Sequence, residues 1–274
     1  MDTLWKPALT YATCANGMSC EHEDSSRPTL VLGHSLGSSH RMWDELLPLL
    51  TPWLQVYTYD LPGHGDSPSA TDKLQMKDIV YGLAAALDEQ EIDDIHIAGL
   101  SFGGLVALSA PHFLGERIRS VTTMASGPSA GSPTLWHDRV KSVEENGVEP
   151  LINDTMIRWF SDVFRQGRGA ARVQDIERIY AECDPQGYIQ CCDILGSTDA
   201  RPWLSELTSP VLVMAGSEDA GFNAEACHEL VQHMRDVNPA QDIHSLVIGG
   251  ARHMLAIEYP HLVAGALINH VLTA

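Results

Sequence analysis

The chain has 274 residues, of which 44% are hydrophobic, and this composition is typical of a globular protein with one large buried core. No run of about 20 apolar residues is present, which argues against a membrane span. The formal net charge is −19 at pH 7, from 17 basic and 36 acidic residues. A charge of this sign argues against binding to nucleic acid and to anionic membrane surfaces.

The start of the chain and its cysteines both favour a cytoplasmic protein. Residues 1–10 show no apolar run behind basic residues, so no secretory signal is expected. None of the six cysteines forms a C-x-x-C pair, and no His/Cys cluster has the spacing of a zinc site. We therefore expect buried, reduced thiols at Cys14, Cys20, Cys183, Cys191, Cys192 and Cys227.

Short apolar runs alternate with helix-type runs along the first half of the chain. Apolar and β-branched runs predict strands at residues 29–32, 54–59, 95–98 and 118–125. Helical spacing predicts helices at residues 41–50, 72–90 and 105–114. This order predicts an α/β fold whose mostly parallel central sheet has helices on both faces.

The alternation breaks after residue 126 and resumes near residue 208. The segment between is mostly helical in spacing, with no convincing apolar strand. Strands at 210–214 and 243–248 and helices at 224–234 and 258–272 then complete the pattern. We therefore predict a core formed by residues 1–126 and 208–274, and a helical cap formed by residues 127–207 over the C-terminal edge of the sheet.

The pentapeptide G-x-S-x-G occurs twice, at residues 33–37 and 99–103. A serine nucleophile of this kind sits on a tight turn between a strand and a helix, where small neighbours prevent clashes and the helix N-terminus stabilises negative charge. Ser101 has that setting, because a strand precedes it and a helix with small residues follows it. Ser35 is the alternative, but polar residues follow it and too little chain precedes it to flank a central strand. We predict Ser101 as the nucleophile.

The copy at residues 33–37 takes the place of an oxyanion loop. Such a loop supplies one backbone N–H to the developing oxyanion, and the residue after the nucleophile supplies the other. By position, the two predicted donors are the N–H groups of Leu36 and Phe102.

A serine hydroxyl needs a base, and the base needs a carboxylate that orients it. With an elbow of this kind, the chain order is Ser, then Asp or Glu, then His. Asp219 follows the strand at 210–214, with Glu218 as the neighbouring alternative. His253 follows the last strand and precedes the last helix, so we predict it as the base.

With these residues in place, the chain resembles the α/β-hydrolase superfamily along its whole length, and within it most closely the β-ketoadipate enol-lactonases. The core carries the resemblance at residues 35–37 with 42–44, at the turn 63–65 and at the elbow 99–104. The helical insertion carries it at residues 135–139, 158–160 and 185–192.

The resemblance implies hydrolysis of a small lactone or carboxylic ester through an acyl-Ser101 intermediate, with no metal and no organic cofactor. It implies a small-molecule substrate as partner, and a monomer or homodimer. Trp136, Arg139 and Trp159 would shape the pocket, and Arg139 could hold a substrate carboxylate. The alternative is that the tryptophans only pack the insertion onto the core and that Arg139 faces solvent. We also place the substrate-binding residues His34 and Ser35 at the pocket floor.

The sequence departs from that family at several positions. His34 stands where Asn is usual, Phe102 where Met is common, and residues 220–223 where a Pro-rich turn is usual. The net charge of −19 also fits poorly with an anionic substrate unless the pocket is locally basic. Other chemistry on the same residues therefore stays open: hydrolysis of a carbon–carbon bond or a thioester, or a biosynthetic cyclisation. A ligand receptor without turnover is the alternative from another class.

Overall fold

In the computed structural model, which describes residues 4–13 and 27–274, seven strands form one sheet in the order β1-β3-β2-β4-β5-β6-β7. The strands are β1 (Leu9–Tyr11), β2 (Thr29–Gly33), β3 (Gln55–Tyr59), β4 (Ile95–Leu100), β5 (Ile118–Met124), β6 (Val211–Gly216) and β7 (Ile243–Ile248). Strand β1 pairs antiparallel with β3, and every other pairing is parallel. The sequence pattern did not predict β1, because three partly exposed residues are too short to show a period.

Strand β4 is the fourth of the seven and lies at the centre of the sheet. All six of its residues are buried. A parallel strand covered on both faces reads as a nearly continuous apolar run, which is why β4 was visible in the sequence.

Strand β2 is also an interior strand, since it pairs with β3 on one side and β4 on the other. The expectation that too little chain precedes residues 33–37 to flank a central strand is therefore wrong. On its outer side β2 is flanked by β3, which follows β2 in sequence, and β3 pairs in turn with β1. The strand that flanks β2 there is therefore formed by chain that comes after β2 and not before it. Since β2 and β4 are neighbours, the two G-x-S-x-G turns begin side by side at the same sheet edge, with Gly33 opposite Gly99.

Helices flank the sheet: α1 (Leu47–Leu50), α2 (Met76–Asp88), α3 (Phe102–Leu114), α9 (Ala224–Val237), α10 (Leu255–Glu258) and α11 (Pro260–Thr273). Two predicted helices differ from those observed, and prolines account for both. Instead of a helix over 41–50, a 3-10 turn at His40–Trp43 precedes the short α1, which has a proline in its first turn. Instead of one helix over 258–272, the short α10 ends at Glu258 and α11 begins at Pro260, because a proline is tolerated at a helix start but not in its interior.

Between β5 and β6 the regular elements are helical: α4 (Pro133–Asn146), α5 (Ile152–Trp159), α6 (Asp162–Gln166), α7 (Ala170–Ala181) and α8 (Pro185–Ser197). We call residues 127–207 the helical segment. An isolated β-bridge joins Ser129 to Asp199, and the N–H of Ala200 donates to the carbonyl of Pro128 at 2.8 Å. The helical segment therefore leaves the sheet and returns to it at one place.

No helix in the described ranges is long and apolar enough to cross a membrane. The cysteines within those ranges are buried free thiols, namely Cys183, Cys191, Cys192 and Cys227. Burial raises the pKa of the Cys191 thiol well above its ordinary value, so this group is protonated and unreactive at neutral pH. Cys14 and Cys20 lie outside the described residues.

Candidate active site

Ser101 occupies the turn between the central strand β4 and helix α3. Its backbone has φ 56° and ψ −112°, in a region that residues other than glycine rarely adopt. The N–H of Ser101 donates to the carbonyl of Met124 at 2.8 Å, and its carbonyl accepts from the N–H of Leu105 at 3.0 Å. These bonds hold the strained residue between strand and helix, with its side chain partly exposed.

The glycines beside Ser101 are required by close backbone contacts. A Cβ atom on Gly99 would lie 2.1 Å from the carbonyl group of Gly103, and one on Gly103 would lie 2.1 Å from the carbonyl oxygen of Gly33. The N–H of Gly103 also donates to the carbonyl of His34 at 3.0 Å. Helix α3 is thus pressed against the strand that precedes it and bonded to the loop that follows β2.

That loop, residues 34–37, and the start of α3 present two backbone donors. In the part of the chain that the structure describes, no protein atom accepts a hydrogen bond from the N–H of Leu36 or of Phe102. Both residues line one cavity together with Ser101 and Ser35. The arrangement has the parts of an oxyanion hole, namely two free N–H groups next to a serine hydroxyl.

His34 does not line that cavity, so its predicted contact with substrate is corrected. Its ring is fully buried. The ring Nδ1 lies 2.7 Å from the carbonyl oxygen of Ser35, and Nε2 accepts from the N–H of Leu61 at 2.9 Å. Burial lowers the pKa of His34, so the ring is neutral and its Nδ1–H donates to the Ser35 carbonyl. Through these two hydrogen bonds, His34 supports the loop at residues 34–37 from the side away from the cavity.

His253 and Asp219 form a hydrogen-bonded pair beside the same cavity. His253 Nδ1 lies 2.8 Å from a carboxylate oxygen of Asp219, and the other oxygen accepts from the N–H of Gly221 at 2.8 Å. Burial acts to raise the pKa of Asp219, but its attraction to His253 and its hydrogen bonds to His253, Gly221 and Phe222 outweigh burial, so the pKa lies below its usual value. Asp219 is therefore a carboxylate that orients the imidazole.

The ring of His253 stacks on Trp159, with centroids 6.4 Å apart and planes inclined by 21°. Ser101, Asp219 and His253 all line the cavity, so the structure brings the three predicted residues together. Among the described residues, His253 Nε2 and the Ser101 hydroxyl form no hydrogen bond. Catalytic hydrogen bonds of this kind are often long before substrate binds.

The cavity has a volume of about 330 Å³ and lies between the sheet edge and the helical segment. The predicted residues Trp136, Arg139 and Trp159 all line it. Arg139 is half-buried, donates to the hydroxyl of Tyr188 at 3.1 Å and lies over the Trp136 ring at 5.9 Å from its centroid. Arg139 therefore faces the cavity and not solvent.

The cavity lining also includes side chains that sequence reasoning did not assign to it, among them Arg158, Tyr180 and Tyr188. The two tyrosine hydroxyls lie 2.7 Å apart, and a Cβ on Gly37 would lie 2.3 Å from the Tyr180 ring. Arg158 and Tyr188 fall in segments that carried the family resemblance, so the resemblance could have pointed to both residues. Nothing in the local pattern of α7 distinguishes Tyr180 from an ordinary core residue.

One set of side chains in the described ranges has the composition of a metal site, namely His40, Asp60 and Asp66. It lies outside the cavity lining. The buried Asp60 carboxylate accepts from the His40 ring at 2.7 Å and from the N–H groups of His40 and Asp66 at 2.6 and 3.0 Å. The hydrogen bond to Asp60 raises the pKa of His40. The imidazole and the carboxylate are partners of each other, and we assign no metal to this set.

Comparison with known proteins identifies the family of this chain. A model of the alpha/beta hydrolase family matches residues 30–266. The 3-oxoadipate enol-lactonase 1 of Acinetobacter baylyi is 30% identical over 233 residues, which are 85% of this chain and 84% of that protein. The 3-oxoadipate enol-lactonase 2 of the same organism is 27% identical over 268 residues, covering 97% of this chain and 92% of that one.

A solved structure, the enol-lactonase from Burkholderia xenovorans, superposes with a TM-score of 0.86 over 100% of both chains, at 23% identity. This likeness supports the fold alone. The chain belongs to the alpha/beta hydrolase family and is a hydrolase of that family. The predicted fold class and the predicted resemblance to the enol-lactonases are confirmed.

Proposed function

We propose that this hydrolase cleaves a small lactone or carboxylic ester through an acyl-enzyme on Ser101. The observation that carries the proposal is the convergence on one cavity of three components: the serine on its strained turn, the His253–Asp219 pair at 2.8 Å and two free backbone N–H groups. Each component has a place in acyl transfer, and together they need no further group from a cofactor.

The steps follow from the atoms present. His253 Nε2 takes the Ser101 proton, while Asp219 holds Nδ1–H and stabilises the imidazolium. The serine oxygen attacks the carbonyl carbon, and the oxyanion accepts from the N–H groups of Leu36 and Phe102. Each such donor typically contributes about 3–4 kcal/mol to stabilisation of the transition state. His253 then protonates the leaving oxygen, which stays attached to the acyl chain when the substrate is a lactone. Finally, His253 deprotonates a water molecule, whose oxygen attacks the acyl carbon. The bond from that carbon to the Ser101 oxygen breaks, the acid leaves, and His253 returns the proton to Ser101.

The helical segment is proposed to be a cap that selects the substrate. Arg139 and Arg158 line the cavity, and among the described residues neither forms an ion pair with a carboxylate. In a chain with a net charge of −19, two such cations create a local positive site that fits a substrate carboxylate. The relatives' names, 3-oxoadipate enol-lactonases, also point to a lactone with a carboxylate side chain.

The test is a search for the acyl-enzyme by mass spectrometry, with a panel of small lactones and esters in pairs that differ by one terminal carboxylate. We expect the added mass on Ser101 and faster acylation by the carboxylate member of each pair. Ser101→Ala should lose turnover by a factor of at least about 10³. Ser35→Ala, in the twin motif, should still form the acyl-enzyme on Ser101.

Turnover by Ser101→Ala equal to that of the wild type would contradict the proposed nucleophile. A single turnover without a steady state would favour a ligand receptor of the same fold. Acylation by thioesters or by carbon–carbon substrates alone would keep the same residues but move the chemistry to one of the other classes. The cytoplasmic location and the monomeric or homodimeric state remain predictions from sequence.

A further inference from the structure

Glu258 lies at the end of α10, five residues after His253, and is almost fully buried, with 1% of its surface exposed. Its carboxylate accepts three hydrogen bonds. One oxygen accepts from the N–H and the hydroxyl of Ser161, at 2.9 and 2.6 Å, and the other accepts from the N–H of Arg252 at 2.7 Å. One carboxylate thus joins the helical segment, through Ser161, to the loop that carries His253.

Other contacts between the helical segment and the loop that carries His253 hold both sequence neighbours of His253. The N–H of Met254 donates to the carbonyl of Trp159 at 3.0 Å. The Arg252 guanidinium donates to the carbonyls of Ile157 and Phe160 at 2.7 and 3.0 Å. His253 itself stacks on Trp159. The helical segment therefore holds the His253 loop through the residues on both sides of His253, in addition to the bond from the His253 ring to Asp219.

A buried carboxylate could be no more than an anchor between two parts of a fold. Burying its charge costs free energy unless it is fully hydrogen-bonded, and here both oxygens are. The division of its bonds is specific: one oxygen serves the helical segment, and the other serves the backbone next to the base. Because Glu258 is bonded to both Ser161 and Arg252, a change in the position of the helical segment changes the bonds that hold the backbone next to His253.

We propose that Glu258 is a positioning residue for His253, and that correct placement of the base depends on docking of the helical segment through this carboxylate. This inference rests on the proposed function in taking His253 as the base. Glu258 does not line the cavity, so it acts through the loop and not on the substrate.

The direct test is Glu258→Gln, which keeps the shape of the side chain. An amide offers one oxygen where two oxygens now face donors, so in either orientation its NH₂ opposes an N–H or O–H group. We expect the low-field proton NMR signal of the His253–Asp219 hydrogen bond to shift or disappear. For an ester that the wild type cleaves, kcat should fall by about tenfold or more, while KM changes by less than about threefold.

Glu45→Gln is the matched control. Glu45 also faces the helical segment, 4.0 Å from Arg172, and among the described residues no hydrogen bond or ion pair joins it to the His253 loop. Its low-field signal and kcat should equal those of the wild type. A folded Glu258→Gln protein with wild-type signal and wild-type kcat would overturn the proposal.

If Glu258→Gln does not fold, Ser161→Ala decides, because it removes one of the three donors and leaves the Arg252 bond in place. A shifted low-field signal with a two- to fivefold lower kcat supports the proposal, and wild-type values for both overturn it. The NMR measurement needs no turnover. A wild type that cleaves no lactone or ester would therefore contradict the proposed function without deciding this inference, which the NMR signal would still test.

Discussion

His34 illustrates how one buried side chain can act on an active site that it does not touch. Its neutral ring donates to the Ser35 carbonyl, which also accepts from the N–H of Ser38 at 3.0 Å. That carbonyl and the N–H of Leu36 belong to the same planar trans peptide, so the two groups point in opposite directions. Holding the carbonyl away from the cavity therefore aims the Leu36 N–H into it. A second neutral ring, His64, accepts from the N–H of Gly37 at 2.9 Å and fixes the next turn of the loop.

The substitution His34→Phe should therefore impair catalysis more than binding. An aromatic ring is kept, but both hydrogen bonds of His34 are lost, and the Ser35–Leu36 peptide is then held only by the bond from the N–H of Ser38. We expect kcat to fall by about tenfold or more, up to the roughly 10²–10³-fold cost of losing one oxyanion donor, with KM changed less than about threefold. Steady-state kinetics on a good ester substrate measure both values.

His96→Phe is the comparison for that experiment, because His96 is also buried and its ring binds Ser120, far from the loop at residues 34–37. It should retain the wild-type kcat. An equal loss of kcat in both variants would show that loss of any buried histidine, and not the orientation of the Leu36 peptide, causes the effect.

At the scale of elements, the elbow depends on how closely α3 approaches β2. The Gly103→Ala methyl group would meet the Gly33 carbonyl oxygen at 2.1 Å, and a backbone atom between two interior strands has no room to move. We expect destabilisation at or beyond the upper part of the roughly 1–3 kcal/mol range for overpacking. Gly265→Ala, in the exposed face of α11 with nothing within 4 Å, should instead stabilise the protein by about 0.5–1 kcal/mol.

Urea unfolding of the two variants tests this pair. Gly103 lies in the first turn of α3 and Gly265 in the middle of α11, so helix propensity favours alanine at both, and the contact with β2 opposes it only at Gly103. A Gly103→Ala protein as stable as the wild type would show that α3 can move away from β2, contrary to the close packing described here.

The elements also explain what could be predicted from the sequence. Ser101, Asp219 and His253 each follow a strand, and parallel strands end at one edge of the sheet, so their convergence follows from the strand order. Tyr180 and Glu258 lie on helices whose partners are set by tertiary packing, which local periodicity does not encode. The side chain of His34 points beneath its loop and not into the cavity, and that direction is set by the Ser35 carbonyl and by the N–H of Leu61, which lies 27 residues further along the chain.

At the scale of the whole molecule, the four histidines that are buried within residues 4–13 and 27–274 make the fold sensitive to acid. Burial lowers the pKa of each: to about 3 for His64, to about 4 for His96, and below the ordinary value for His34 and His270. In the unfolded chain these groups take up protons near pH 6.5. Below that pH the unfolded state binds more protons than the folded state, so the free energy of unfolding falls as the pH drops.

His40 acts in the opposite sense, because its hydrogen bond to Asp60 raises its pKa. The stability that it contributes is present below its unfolded pKa of about 6.5 and is lost as the pH rises through its folded pKa. The lowered pKa of Asp60, whose burial is outweighed by His40, His34 and backbone donors, adds stability above about pH 3.8 that is lost in stronger acid. Stability should therefore be greatest near neutral pH.

The contribution of one histidine can be measured with His96→Phe. Its removal should reduce the slope of unfolding free energy against pH, between about pH 4.5 and 6, by up to about 1.36 kcal/mol per pH unit. Urea unfolding at a series of pH values gives that slope for both proteins. The same slope in wild type and variant would mean that His96 is protonated in the folded state.

The two ends of the helical segment meet at the Ser129–Asp199 bridge and at the bond from Ala200 to Pro128. An insertion whose ends are adjacent imposes almost no spacing requirement on the chain that receives it. Recombination or gene design could thus exchange this unit between relatives at two junctions that lie side by side in space, without altering the sheet edge that carries the serine, the aspartate and the histidine. Such an exchange must also carry a matching partner for Glu258. Without such a partner, the recipient protein would gain a new substrate specificity but would lose catalytic rate.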